Sequence, residues 1–244
     1  MTGGSASVTD PESGLPIGPL VAAREACAPA PVRLDGSLVR LEPLDAARHA
    51  GDLFAETHDA DRHARFQYLF EAPFDSEAAF RRHLEQKMPC TDPRFYAVVD
   101  QGTGRALGQM TLMRTDLVHR SVEVGNILLG RTLQGTPGST EAQYLAMRYA
   151  FEDLGFRRYE WKCNALNAPS RRAALRLGFT FEGLFRQHYI VRGRSRDTAW
   201  YSIVDHEWPW IKAGFLSWLA ADNLDAAGRQ RRALADCRGP RPPA

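Results

Sequence analysis

The chain has 244 residues, 44% of them hydrophobic, and 31 Lys and Arg against 29 Asp and Glu give a formal net charge of +2. That is enough apolar material for one catalytic domain with appendages, and the near-balance of charge argues against a strongly electrostatic nucleic-acid binder. Four cysteines, Cys27, Cys90, Cys163 and Cys237, show neither a Cys-x-x-Cys pair nor zinc spacing, and there is no long apolar run or signal-type N-terminus; a cytoplasmic protein without metal or membrane partner is expected.

Residues 1–31 are rich in Gly, Ser, Ala and Pro with few large apolar side chains, which predicts a flexible leader. Residues 39–44 alternate as a strand, 45–57 form an amphipathic helix, and 76–88 form another with Phe80 and Leu84 on one face. Strands follow at 95–100 and 106–113, joined by a turn at Gly102 and Gly104, and again at 121–129. In the next helix, Ser139 or Thr140 is expected to cap, Glu141 suits the first turn, and Tyr144, Met147, Phe151 and Leu154 share a buried face that Gly155 terminates. The loop before it, 134–139, offers backbone N–H groups at the positive end of the helix, where a pyrophosphate can be held without a lysine. It is neither a Walker loop nor G-x-G-x-x-G, and the same pattern also serves plain turns.

Tyr159, Trp161 and Cys163 alternate with Glu160, Lys162 and Asn164 along a strand at 158–164. Asn167, with Pro169 in the first turn, caps a short helix that Gly178 closes. A strand at 179–190, a turn at 192–196, a last strand to 205 and a helix at 208–219 complete the pattern. The tail from 228 carries five arginines and three prolines and reads as disordered. The expected organisation is a leader at 1–31, a catalytic domain at 32–209, a C-terminal helix at 210–222 and a disordered basic tail at 223–244. The fold class is α/β (α+β): a mixed, mostly antiparallel central sheet flanked by helices on both faces.

Two stretches together resemble the GNAT superfamily of acyl-CoA-dependent N-acetyltransferases, and within it the branch of the ribosomal-protein acetyltransferases RimJ and RimL. The family's Gln/Arg-x-x-Gly-x-Gly/Ala turn falls on Gln134, Gly135, Thr136, Pro137, Gly138 and Ser139, with Pro137 and Ser139 departing from it. The Asn-x-x-Ser and Lys-x-Gly-Phe signature falls on Asn167, Ser170, Arg176, Gly178 and Phe179. The resemblance implies acetyl-CoA between the splayed ends of the strands at 121–129 and 158–164. Backbone groups of Ile127, Leu128 and Leu129 would pair with its pantetheine, and Gln134, Gly135, Thr136, Gly138, Ser139 and Thr140 would meet its pyrophosphate, with Asn164 and Asn167 alongside.

Acyl transfer to an amine needs a proton acceptor for the ammonium, N–H donors for the developing oxyanion and a proton for the departing thiolate. By the same resemblance Ser170 is the candidate acid near the sulfur; read as plain residues, Asn167 is an N-cap and Ser170 an N3 residue bonding it. Glu123 is the candidate base, acting through water or with a raised pKa; the competing reading is a cross-strand ion pair with Lys162 or Arg120. His119, His188 and Tyr201 are held in reserve. Phe66, Tyr68 and Phe70 could wall an acceptor pocket, and Arg186, His188, Tyr189 and Arg194 could meet an anionic group; aromatic core plus a solvated hairpin would look the same. The expected activity is transfer of an acetyl group from acetyl-CoA to a primary amine, a peptide N-terminus or a small molecule, by direct attack in a ternary complex. The alternatives are a non-catalytic acyl-CoA-binding module and a ribosome- or RNA-associated protein docked by its basic tail. A homodimer stays open.

Overall fold

The structure is a computed structural model and describes residues 7–226 and 229–241. After a small hairpin of β1 (Val8–Thr9) and β2 (Pro16–Ile17), the chain runs β3 (Leu34–Asp35), β4 (Val39–Pro43), α1 (Ala46–Thr57), α2 (Arg62–Phe66), α3 (Glu77–Lys87), β5 (Arg94–Asp100), β6 (Ala106–Asp116), β7 (Ser121–Leu129), α4 (Pro137–Arg148), a π turn (Tyr149–Asp153), β8 (Arg158–Asn164), α5 (Ala168–Leu177), β9 (Thr180–Val191), β10 (Arg194–Val204), α6 (Trp208–Leu219) and α7 (Leu234–Arg238). Among the described residues the main sheet has the order β3-β4-β5-β6-β7-β8-β10-β9, antiparallel throughout except where β7 meets β8. The mixed sheet expected from the strand pattern is therefore present.

Alternation sorts the core into two layers. Tyr96, Val98, Met110, Leu112, Val122, Val124, Tyr159 and Trp161 share one buried cluster with residues of α4, α5 and α6. Phe95, Ala97 and Val99 point the other way, into a cluster with Ala50 and Leu53 of α1 and Phe80 and Leu84 of α3. Asp45 accepts from the amides of Ala47 and Arg48 and so starts α1, as Ser76 starts α3 by accepting from Ala79.

Four expectations need correcting. First, α4 begins earlier than expected: Thr136 is its cap, with Pro137 in the first turn, so neither Ser139 nor Thr140 caps it. Second, Glu141 is not spent on the helix dipole, because its carboxylate accepts from the amides of Ser37, Leu38 and Val39 at 2.8, 2.7 and 2.8 Å and ties the β3–β4 turn to α4. Gly36 makes room for it, since a Cβ there would stand 2.6 Å from the Glu141 carboxyl carbon. Third, the leader is held rather than loose at residues 24–30. The Cys27 amide donates to the Leu154 carbonyl at 2.9 Å, the Ala30 amide to Tyr149 Oη at 3.1 Å, and Tyr96 Oη to the Ala30 carbonyl at 2.7 Å. Residues 1–6 lie outside the described residues. Fourth, the tail is structured where it is described, because it carries Leu234, buried to 2% exposure under α6. Its arginines also have partners. Arg229 pairs with Asp225, Arg231 donates to the Leu224 carbonyl and Arg232 to Ser217, Arg238 donates to the Arg176 carbonyl, and Arg241 pairs with Glu207. Among the described residues no helix is long and apolar enough to cross a membrane.

Candidate active site

The sheet is open in the middle. β7 and β8 pair in parallel from Ser121 and Arg158 to Val124 and Trp161, and then part. From there β8 continues on β10, with Cys163 opposite Ala199 and Asn164 opposite Thr198, while β7 continues on β6, with Leu128 opposite Gln109 and Leu129 opposite Gly108. A bulge in β7 drives the separation: Asn126, at φ 47°, is the extra residue between the Thr111–Gly125 and Gln109–Leu128 pairs. Gly125 beside it leaves room for the end of the Met113 side chain, whose methyl carbon lies 2.2 Å from where a Cβ would stand. The β8-facing edge of β7 beyond Val124 is thus left without a strand partner among the described residues, an edge that an extended ligand can extend.

One cleft passes through this opening and collects side chains from both faces of the sheet. On the α5 side, the Asn167 carboxamide oxygen accepts from the Ser170 amide at 3.1 Å, and Trp161 Nε1 donates to Ser170 Oγ at 3.1 Å. The hydroxyl oxygen thus accepts the indole's hydrogen bond and keeps its own hydrogen to donate to a partner in the cleft. Cys163 lies beside it; burial pushes its thiol above the usual range, so it is not a ready thiolate nucleophile.

On the opposite face Glu123 is 1% exposed and held by two cations. Arg114 Nη1 reaches its two oxygens at 2.6 and 2.7 Å, and Lys162 Nζ lies 2.9 Å from the second. Lys162 in turn sits 2.6 Å from Glu160 and 3.8 Å over the Trp200 ring. Of the two roles open for Glu123, the cross-strand pair with Lys162 is present, with Arg114 added; Arg120 instead reaches the Arg24 carbonyl. Arg114 is delivered by a second bulge, at φ 51°, where Asp92 accepts from the amides of Arg114 and Thr115 at 2.8 and 2.9 Å.

Relatives agree with this architecture. Residues 39–180 match the family described as Acetyltransferase (GNAT) domain. The chain belongs to the GNAT family of acetyltransferases. A GCN5-related N-acetyltransferase from Brucella melitensis is 45% identical with a TM-score of 0.86, over 88% of this chain and 97% of that one. The spermidine N(1)-acetyltransferase of Escherichia coli is 26% identical over 70% of this chain and 88% of its own length. The ribosomal N-acetyltransferase candidate YdaF of Bacillus subtilis is 31% identical, but the chain spans only 57% of that protein. Membership makes this chain an acetyl-CoA-dependent N-acetyltransferase.

The acetyltransferase cleft brings together Glu123, Ile127, Asn164, Asn167 and Ser170 with Tyr68, Phe70 and Tyr189. Other expected residues lie elsewhere. Phe66 is core, 2% exposed and 5.0 Å from the His58 ring. Leu128 is 2% exposed and lines a smaller neighbouring cavity. Thr140 is 1% exposed and receives Arg176 Nη2 at 2.8 Å, so it faces α5 rather than the loop. Ser139 spends its amide and hydroxyl on Thr136, and the amides of Gln134 and Thr136 go to Gly130 and Leu133, so three of the loop's backbone amides are already satisfied. Gly138 packs against Val39, and Gly135, at φ +77° with open space where a Cβ would be, remains the residue best suited to a close ligand. Leu129, the last residue of β7, and the loop that follows at 134–139 are not among the residues lining the cleft.

In the hairpin, Arg186 and Arg194 are exposed. Arg186 and His188 flank Gln187, whose amide donates to Asp197 at 2.7 Å in a bulge of β9 against β10. That bulge breaks the alternation, so the cleft receives Tyr189 and its cross-strand neighbour Arg196 in place of Arg186. Sequence reading missed Arg196, Arg114, Asn126 and Thr198. Tyr201 is buried against Arg171 Nε at 3.1 Å and His119 is exposed; neither lines the cleft.

Proposed function

We propose that this acetyltransferase transfers the acetyl group of acetyl-CoA to a primary amine by direct attack, both substrates being held in one ternary complex, in the manner of the RimJ/RimL branch. The observation that carries the reading is the parting of β7 from β8 with Ser170, Asn167 and a free β7 edge on one side and an aromatic, charged chamber on the other. When bound, acetyl-CoA supplies the activated acyl thioester. The unpartnered amides and carbonyls of β7 beyond Val124 pair with the pantetheine arm, the Asn167 amide group binds beside it, and Gly135 with the α4 N-terminus meets the phosphates. Ser170, oriented by Trp161, donates to the leaving sulfur. The buried, protonated Cys163 thiol favours direct attack over a covalent acyl-enzyme.

Glu123 acts in this scheme by fixing Arg114 and Lys162 at the acceptor side, since cations already occupy both of its oxygens. The proton acceptor held in reserve is His188, which does not itself line the cleft but lies 3.8 Å, ring to ring, from Tyr189, which does. Burial and the charges of Arg114, Arg196 and Lys162 push His188 below the usual 6.5, so it is neutral at pH 7, and its Nδ1 has no partner among the described residues. Tyr68, Phe70 and Tyr189 wall the acceptor site. The test is an acceptor screen over peptide N-termini, amino acids and polyamines with thiol release as readout, alongside thermal shift with acetyl-CoA. Turnover of any amine supports the reading; a thermal shift without thiol release from any acceptor leaves a binding module instead.

A further inference from the structure

The acceptor side of the cleft contains a cation with nothing to neutralise it. Arg196 is 7% exposed, yet no hydrogen bond or ion pair reaches its guanidinium among the described residues, and its Nε is buried without an acceptor. What surrounds it is aromatic: the Phe70 ring centroid is 4.9 Å away and the Tyr189 centroid 5.7 Å. The lining contains Arg114, Lys162 and Arg196 against the single carboxylate of Glu123, and Glu123 is already shared by the first two. A guanidinium stays charged even when burial lowers its pKa, and a buried charge left unpaired is costly. Such a group is stable only if its counter-ion arrives with a ligand, and a planar fork of donors between two aromatic walls matches a carboxylate.

We infer that Arg196 is the docking point for a carboxylate carried by one of the two reacting partners, so that this enzyme handles an anionic substrate and rejects polycationic amines. The inference rests on the acyl-transfer reading of the same cleft. The carboxylate has two chemical sources: the amine acceptor, as in an α-amino acid or a peptide whose carboxylate lies near its amine, or the acyl chain of the thioester, as in a dicarboxylic acyl group. Thr198, two residues along β10 on the same face, and Tyr189 across the strand pair offer hydroxyls beside the guanidinium to the same ligand.

Kinetics with matched pairs separate the sources. In one arm, amino acids and short acidic peptides are compared with their amides and with spermidine, using acetyl-CoA as donor. In the other, a neutral amine is acylated by succinyl-CoA or by acetyl-CoA. One of the two arms should show a preference for the carboxylate form of about 10- to 100-fold in kcat/KM, the size of one charged hydrogen-bond pair. Arg196→Gln should bring that ratio close to one and Arg196→Lys should restore part of it. A binding arm needs no turnover: with CoA present, an N-acetylated amino acid or succinate should raise the melting temperature of the wild type, and the corresponding amides should not. Preference for spermidine or neutral amines with no preference for the dicarboxylic donor overturns the inference while leaving acetyl transfer intact. So does a ratio unchanged by Arg196→Gln, which would reduce Arg196 to a packing residue between Phe70 and Tyr189. Absence of thiol release from every pair counts against the acyl-transfer reading, and the binding arm then decides the carboxylate site alone.

Discussion

Ser170 and Glu123 line the same cleft but are tied to opposite faces of the sheet, and their substitutions should fail differently. Ser170 Oγ is positioned by the Trp161 indole at 3.1 Å, so Ser170→Ala removes a donor to the leaving sulfur without disturbing any charge. A loss in kcat of about 10- to 100-fold is expected, with the acetyl-CoA thermal shift retained. Glu123→Gln instead leaves Arg114 and Lys162 without their shared anion. Removing one partner of a buried charge pair costs roughly 2–5 kcal/mol, so the melting temperature should fall together with kcat/KM, and raising the pH should not restore activity. Recovery in alkali at unchanged melting temperature would return Glu123 to the role of general base. Ser170 and Asn167 were legible in the sequence because a helix cap fixes its own spacing. Arg114 and Arg196 were not, because bulges at Arg114 and at Gln187 decide which side chain faces the cleft, and strict alternation contains no sign of a bulge.

At the scale of elements, strand and helix boundaries could be read closely where caps and glycines punctuate them; what could not be read were long-range polar ties such as Glu141 to the β3–β4 turn. The α1–α3 layer contains another. His58 follows α1, stacks on Phe54 at 4.3 Å and lies near Phe66, Phe74 and Phe80. The Phe74 amide donates to its Nε2 at 3.1 Å, so Nδ1 carries the proton toward Thr57 Oγ1 at 2.9 Å, whose own hydrogen goes to the Leu53 carbonyl. That chain works only for neutral imidazole. Burial pushes the pKa from 6.5 down to about 4, so between those values the unfolded chain binds the proton and the folded one does not. The stability this group contributes is therefore complete above pH 6.5 and is lost as the pH falls toward 4. Burial lowers His49 and His83 as well, which adds to the same slope. The melting temperature should drop steadily from pH 6.5 to 4, and His58→Gln, whose carbonyl can still accept from Phe74, should flatten part of that drop. An unchanged slope in the variant would place the acid sensitivity elsewhere.

Over the whole molecule, the described ends of the chain are latched onto the layer that carries α4 and α5. The leader crosses Tyr96 and Tyr149 at Ala30, and the tail returns through α7, whose Arg238 donates to the Arg176 carbonyl at 2.9 Å while Arg176 holds Thr140 of α4. Gly214 of α6 makes the second latch possible: a Cβ there would stand 2.1 Å from Arg238 Cγ and 3.1 Å from its Cα, so the backbone of α7 would have to move as well as the side chain. Gly214→Ala sits inside a helix, where alanine is favoured by about 1 kcal/mol in intrinsic propensity. If α7 were loosely attached, the substitution would be neutral or stabilising. The contacts predict the reverse, with release of Leu234 from its buried position and faster tryptic cleavage after Arg231, Arg232 and Arg238. Since Arg176 loses its tie to α7 but keeps Thr140, the acetyl-CoA thermal shift should weaken only slightly. Cleavage at the wild-type rate, with an unchanged or raised melting temperature, would mean that α7 contributes nothing to the packing of α6 and that the tail's arginines are free for another partner.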